Sequence, residues 1–175
     1  MIAVFRQGFF ALLFALSSLS LAHADEQMVP LAQSGEWTAI AHKTSMTAPP
    51  DVCVAANRAG VALRADGDSV QFRVIDESWS LPASVEGDLL IVIGSWKLSL
   101  AIGQNNNTSV SAELDPSQIL ELLTTMDKAS TMAVTVGKAK PRVVSLVGSA
   151  RVSNAFRTCA GIGGTNRQGG ANPFQ

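Results

Sequence analysis

The sequence predicts an α+β domain dominated by an antiparallel β-sandwich or partly open barrel, with two helices late in the chain. Three observations lead there. An Asp66-Gly67 pair separates two apolar runs of period two, a strong hairpin signature. Short strand-like runs bounded by turn residues recur along most of the chain, roughly eight in number. After residue 114 two segments switch to helical spacing, without the regular alternation of a parallel βαβ fold.

The chain opens on what reads as an export signal. Arg6 places a positive charge near the start, Gly8 to Leu21 is apolar and uncharged, and Ala22-His23-Ala24 has the small-x-small form that signal peptidases accept. The apolar run falls short of the roughly 20 residues needed to cross hydrocarbon. Cleavage is therefore expected over anchoring. Residues 1–24 form the signal, and the mature chain begins at Asp25 in an oxidising compartment, most simply a bacterial periplasm. Residues 25–159 suffice for one domain with a real core. Residues 160–175, rich in Gly, Asn and Gln with one isolated Phe174, are expected to form a disordered tail.

The strands follow in order. Trp37 to Ala41 and Val52 to Ala55 read as two early ones, separated by a loose connection that holds Pro49-Pro50. Val61 and Leu63 before the Asp-Gly pair, then Val70, Phe72 and Val74 after it, alternate with polar residues. That pattern predicts a hairpin with a type I′ turn. Trp79 and Leu81 extend the pattern toward Pro82. Leu89 to Ile93 is continuously apolar, which predicts a strand covered on both faces. Trp96, Leu98, Leu100 and Ile102 alternate with polar residues as a half-buried strand should. A polar loop is expected from Gly103 to Asn107, then strands at Val110–Leu114, Thr131–Val136 and Arg142–Val147.

The first helix begins at Asp115-Pro116-Ser117-Gln118, with a capping aspartate, proline at the first helical position and glutamine three residues past the cap. Ile119, Leu122, Leu123 and Met126 follow at the spacing of one helix face. The second runs from Ser149, a possible cap after Gly148, to Cys159, with Val152, Ala155, Phe156 and Cys159 along one face. The two cysteines of the whole chain, Cys53 and Cys159, are an even pair in an exported protein and are expected to form a disulfide. Such a bridge closes most of the domain into one loop, worth roughly 4 to 5 kcal/mol in the chain-entropy model.

Chemistry is sparse. With 13 basic and 14 acidic residues the formal net charge is −1, and no basic stripe or acidic block points to nucleic acid or an anionic membrane surface. Two thiols and one mature histidine, His42, are too few for a zinc cage. Gly-x-Ser-x-Gly is absent, so His42 reads as an exposed strand-edge residue and not a triad member. Asp76-Glu77 lies between strand-like pieces, where acids are ordinary turn residues and not a glycosidase pair. Gly161-Ile162-Gly163-Gly164 follows a helix, the wrong order for a phosphate loop. Asp66 and Asp68 lack the rest of a calcium loop. No cofactor and no metal are expected. The candidate contact residues are Trp37, Trp79 and Trp96, because tryptophan concentrates at binding hot spots, with core filling as the alternative. Asn105, Asn106 and Asn107 join them, because polar loops on rigid sheets commonly carry recognition.

Several segments resemble exported bacterial proteins of the invasion-associated locus B type. They are Gly35-Glu36-Trp37-Thr38, Cys53-Val54-Ala55-Ala56, Leu114-Asp115-Pro116, Met132-Ala133-Val134-Thr135-Val136 and Val144-Ser145-Leu146-Val147-Gly148-Ser149-Ala150. The chain departs from that pattern in lacking further cysteines and in having Ser149-Ala150 after the glycine, so no functional residue carries over. The resemblance implies a one-domain, β-rich envelope protein without an established catalytic site, associated in some pathogens with host-cell invasion. Together with the residue reading, it leads to a non-catalytic exported binding module whose partner is a protein or envelope component. An inhibitor or immunity protein against a periplasmic enzyme is the alternative, and an enzyme comes last.

Overall fold

A computed structural model describes residues 27–163. The signal at residues 1–24 and residues 164–175 of the expected tail lie outside the described residues. Ten strands form one antiparallel sheet, and two helices follow late in the chain. The strands are β1 (Gln27–Ser34), β2 (Trp37–Lys43), β3 (Val52–Asn57), β4 (Val61–Asp66), β5 (Ser69–Ile75), β6 (Gly87–Ile93), β7 (Trp96–Asn106), β8 (Ser109–Leu114), β9 (Thr131–Val136) and β10 (Arg142–Ser145). The helices are α1 (Pro116–Met126) and α2 (Ser149–Ala160). Their order across the sheet is β1-β2-β3-β4-β5-β8-β7-β6-β9-β10. The sheet is not closed into a barrel, since β1 and β10 remain edges.

One long strand joins the two halves of the sheet. The first part of β7, Trp96 to Ile102, pairs with β6. Its last part, Gly103 to Asn106, pairs with β8 across an irregularity between Gln104 and Asn106. Strands that pass between layers commonly do so at such bulges. The expected loop at 103–107 is thus mostly strand, and only residues 107–108 turn.

The β4–β5 hairpin is where the sequence placed it, with Asp66 opposite Ser69. Its central pair is Gly67-Asp68, however, and not Asp66-Gly67. Gly67 has φ +57°, and among the described residues no non-glycine residue has positive φ. A type I′ turn needs positive φ at both central residues, whereas type II′ needs it only at the first. The turn therefore has the II′ pattern, with glycine in the position that requires it. Leu89 to Ile93 is also corrected. Leu89, Ile91 and Ile93 are buried, but Leu90 is 37% exposed, so only one face is covered. Residues 79–81 form no strand, and β1, which holds Pro30, was not foreseen at all.

The far parts of the sheet meet through specific bonds. The Trp37 indole N–H donates to the Ser145 carbonyl at 2.7 Å, and the Asn57 amide donates to the same oxygen at 3.4 Å. Arg142 Nη1 donates to the carbonyls of Ala59 at 2.7 Å and Ile75 at 2.9 Å, while Nη2 pairs with Asp76 at 2.6 Å. Gly35 and Gly148 make a further close approach possible. A Cβ on Gly148 would lie 2.6 Å from the Ser34 carbonyl oxygen, and one on Gly35 would collide with the Val147 carbonyl. Both have positive φ, at +88° and +59°, so backbone conformation and crowding both call for glycine.

Helix α1 begins as its sequence predicts. Asp115 accepts from the backbone N–H groups of Ser117 and Gln118 at 2.9 Å each, and Gln118 reaches back to the Asp115 N–H at 3.0 Å. Ile119, Leu122, Leu123 and Met126 are its buried face. Helix α2 starts differently. Its cap is Gly148, and no side chain caps it. Ser149 is buried and donates to the Met126 carbonyl at 3.2 Å, which ties α2 to the end of α1. The helix also runs one residue past the expected domain end. Ala160 is helical, Gly161 caps in the left-handed region, and the Ile162 N–H bonds to the Arg157 carbonyl at 2.9 Å.

Candidate functional site

The cysteines pair as expected. Cys53 on β3 and Cys159 near the end of α2 form a disulfide with Cα atoms 6.0 Å apart and 106 residues between them in sequence. Cys53 is buried among the core strands, so the bridge staples the last turn of α2 to the sheet. Arg157, two residues earlier, donates to Asp127 at the end of α1 at 2.8 Å.

The three tryptophans separate into different roles. Trp37 is 1% exposed and its N–H is bonded to Ser145. It is core, as the alternative reading had it, and offers no contact surface. Trp79 is half-buried in the irregular connection between β5 and β6, its N–H group of the main chain bonded to the Asp76 carbonyl. Trp96 is half-buried at the start of β7, and its indole N–H lies 3.4 Å from Glu121 Oε2.

The three asparagines are exposed, but two of them hold the β7–β8 hairpin together. Asn106 Oδ1 accepts from the Thr108 N–H at 2.9 Å, from the Thr108 hydroxyl at 3.0 Å and from the Ser109 hydroxyl at 2.9 Å. Asn105 donates to the Ser109 hydroxyl at 3.0 Å. Asn side chains that bond backbone two residues on are ordinary turn formers. Asn107 supplies its carbonyl to the Leu81 N–H at 2.8 Å and leaves its side chain on the exposed tip.

Charged groups are engaged in local structure. Asp51 accepts from His42 Nδ1 at 2.7 Å, and that bond holds its carboxyl below the usual carboxylate value. The Ser78 hydroxyl and N–H hold Asp76 down, with the Arg142 guanidinium adding to the effect. The Gln118 N–H and the Ser117 hydroxyl and N–H do the same for Asp115 at the helix cap. Burial lowers the Arg73 guanidinium, with Arg64 nearby in the same sense. The three carboxylates are accounted for by a turn, a cap or an ion pair, and Arg73 donates to Gln71 Oε1 at 2.7 and 3.1 Å. Among the described residues no three His, Cys, Asp or Glu side chains gather into a group that could hold a metal. No helix among them is long and apolar enough to cross a membrane.

The surface that stands out lies on the outer side of α1. Leu120 is 42% exposed, on the flank of the helix beside the core stripe. Three hollows share it. One of about 190 Å³ lies between α1 and the end of α2, against Pro116, Ile119 and Ile162. A second, of about 590 Å³, extends along α2 past Asn154 and Thr158. The third, of about 420 Å³, lies toward Trp96 with Glu121, Thr124 and Thr125. Of the candidate contact residues, only Trp96 lines one of the three. Leu120 escaped sequence reasoning because one leucine off the apolar stripe is common on helices and carries no signal of its own. What makes it a surface feature is the juxtaposition of α1, α2 and β7.

No family model and no curated protein matches the sequence. Among solved structures, the chain is similar to invasion associated protein B from Bartonella henselae, at 14% identity and a TM-score of 0.46, over 73% of this chain and 95% of that one.

Proposed function

We propose that this protein is a non-catalytic, exported binding module of the bacterial envelope that works in the periplasm and takes a protein or envelope component as its partner. The observation that carries the reading is the exposed Leu120 at the meeting point of three hollows, on a helix whose inner face is fully committed to the core. An apolar side chain rimmed by polar groups on a rigid support is the ordinary form of a contact site. The carboxylates described above serve turns, caps and ion pairs, which favours binding over catalysis. A disulfide suits an oxidising compartment, in keeping with the export signal read in residues 1–24. The resemblance read from the sequence implies an association with invasion as one such envelope role.

A second reading, inhibition of a periplasmic enzyme, draws on the β7–β8 hairpin. Its tip is held by the three bonds to Asn106, and a rigid loop is what plugging an active site requires.

Leu120→Asp tests the leading reading beside Val143→Asp, a change at an exposed residue on the β10 edge. With the mature protein immobilised on a support, Leu120→Asp should abolish capture from envelope extract, while Val143→Asp should not, and both should keep the parent thermal midpoint. Equal capture by both variants would overturn the choice of surface. Capture lost only on shortening the β7–β8 tip would favour the inhibitor reading. Fractionation and intact mass test export: a mature chain starting at Asp25 in the periplasm is expected, and retention of residues 1–24 in the cytoplasm would refute it.

A further inference from the structure

The hollow beside Trp96 has a chemistry of its own. Trp96 begins β7 directly after the turn at Gly94-Ser95 and packs partly against the core, so its ring is held by the sheet and not by a loop. Its N–H donates toward Glu121 Oε2 at 3.4 Å. Thr124 and Thr125 complete a polar rim, and Leu120 closes the apolar side. Among the described residues no cationic side chain lines this hollow.

These features select among ligands. An anionic ligand finds a carboxylate and no counter-charge, which costs binding energy. A cation is favoured by Glu121, but the geometry works against cation–π binding. The indole N–H lies in the ring plane, so the carboxylate it meets sits at the ring edge, whereas a cation needs the ring face. The edge carries the positive part of the aromatic quadrupole. A group that lies flat on the ring and carries hydroxyls at its own edge satisfies both elements at once. Its C–H face covers the indole, one hydroxyl donates to Glu121, and others exchange bonds with the threonine hydroxyls. A neutral pyranose has that shape.

We propose that the Trp96–Glu121 hollow is a binding site for a neutral saccharide unit. This deepens the binding reading above by naming the ligand class at one side of the same surface. The size of the hollow is within the range of small-ligand sites, and its shallow form suits one or two sugar rings at the end or side of a chain.

Indole N–H resonances of the uniformly ¹⁵N-labelled mature protein test the proposal. The Trp96 signal is the one that vanishes in Trp96→Phe. Cellotetraose and chitotetraose are titrated to millimolar concentration, with lysine amide as a cationic comparison. The expected result is a saturable shift of the Trp96 signal with at least one saccharide, and no shift of the Trp37 signal. Glu121→Gln, a conservative change at an exposed residue, should weaken that binding about tenfold at an unaltered thermal midpoint. No shift with either saccharide overturns the proposal. So does a shift with lysine amide alone, or saccharide binding that Glu121→Gln leaves unaltered. The two readings fail separately. Loss of partner capture in Leu120→Asp without saccharide binding leaves the interaction surface standing and removes the sugar site. Saccharide binding with normal capture by Leu120→Asp does the reverse.

Discussion

Strands β1 to β5 cross the sheet in chain order, whereas β6 to β10 stand in the order β8-β7-β6-β9-β10. The difference comes down to two pairings between strands distant in sequence, β5 with β8 and β6 with β9. The first half is a meander made of local hairpins. Glycine at the first central position specifies the β1–β2 and β4–β5 turns, at Gly35 and Gly67; Gly60 ends the three-residue β3–β4 loop, and the longer connection 44–51 joins β2 to β3. The second half depends on the irregular residues 76–86 carrying the chain away and on β7 being long enough to pair with both β6 and β8. The two regions are also retained differently. The first is tied covalently to α2 through Cys53 and Cys159. The second is held by hydrogen bonds from Arg142, Trp37 and Asn57. Local turns build the one, and long-range bonds secure the other.

Removing the covalent tie should have the largest effect. Replacing Cys53 and Cys159 together with alanine is expected to cost roughly 4 kcal/mol, by releasing a long loop in the unfolded chain. Urea unfolding measures the loss. Hydrogen exchange should then show α2 and β1–β3 opening before β6 and β9. Uniform loss of protection across both halves would mean that the bridge does not belong to one region in particular.

Arg142→Met is the matching change in the second half. It leaves the Ala59 and Ile75 carbonyls without their partner, at a cost of about 1 to 3 kcal/mol. Here exchange should rise first at β9 and β10. Asp115→Ala comes next. It removes one side of the capping box, and the expected outcome is a smaller fall in thermal midpoint than Arg142→Met gives, with fraying confined to the first turn of α1. A fall as large as that of Arg142→Met would show that α1 docking and not its cap was disturbed.

Acid gives the smallest and most distributed effect. Asp51, Asp76 and Asp115 are each held below the ordinary value of 3.8. The folded state therefore binds these protons less readily than the unfolded state. Their contribution is fully present above that value and is lost as pH falls through the depressed folded values. Thermal midpoints measured from neutral pH into strong acid should decline over that window, and Asp76→Asn should shallow the decline. Asp76 spans the opening between the halves through Arg142, so acid should loosen the second region first. An identical acid limb in Asp76→Asn would remove Asp76 from the account.

The replacement of Asn105, Asn106 and Asn107 by serine acquires a different meaning from these bonds. On sequence alone it should weaken partner capture and leave the midpoint nearly unchanged. With Asn106 accepting three bonds inside the hairpin, the substitution is expected to lower the midpoint, and Asn107 alone remains a clean probe of contact.

Features whose cause is local or whose partners are few were legible in the residues alone. The Asp-Gly region had to turn because glycine alone tolerates the φ required, and Asp115 to Gln118 had to start a helix because both halves of the capping box lie within one turn. The Cys53–Cys159 pair followed from there being only two cysteines. Tertiary structure decided the rest. Trp37 and Trp96 carry the same side chain in similar strand patterns, yet one is core and the other lines a surface hollow, because only one of them lies opposite β10. Pro30 and weak alternation hid β1, whose strand character comes from pairing with β2. Gly148 was needed to let Ser34 approach, and Ser149 reached Met126 instead of capping its own helix. Leu120 became a candidate contact only when α1, α2 and β7 were brought together. Periodicity reports which face of an element is buried, but the neighbour that buries it, and the surface left beside it, exist only once distant segments have packed.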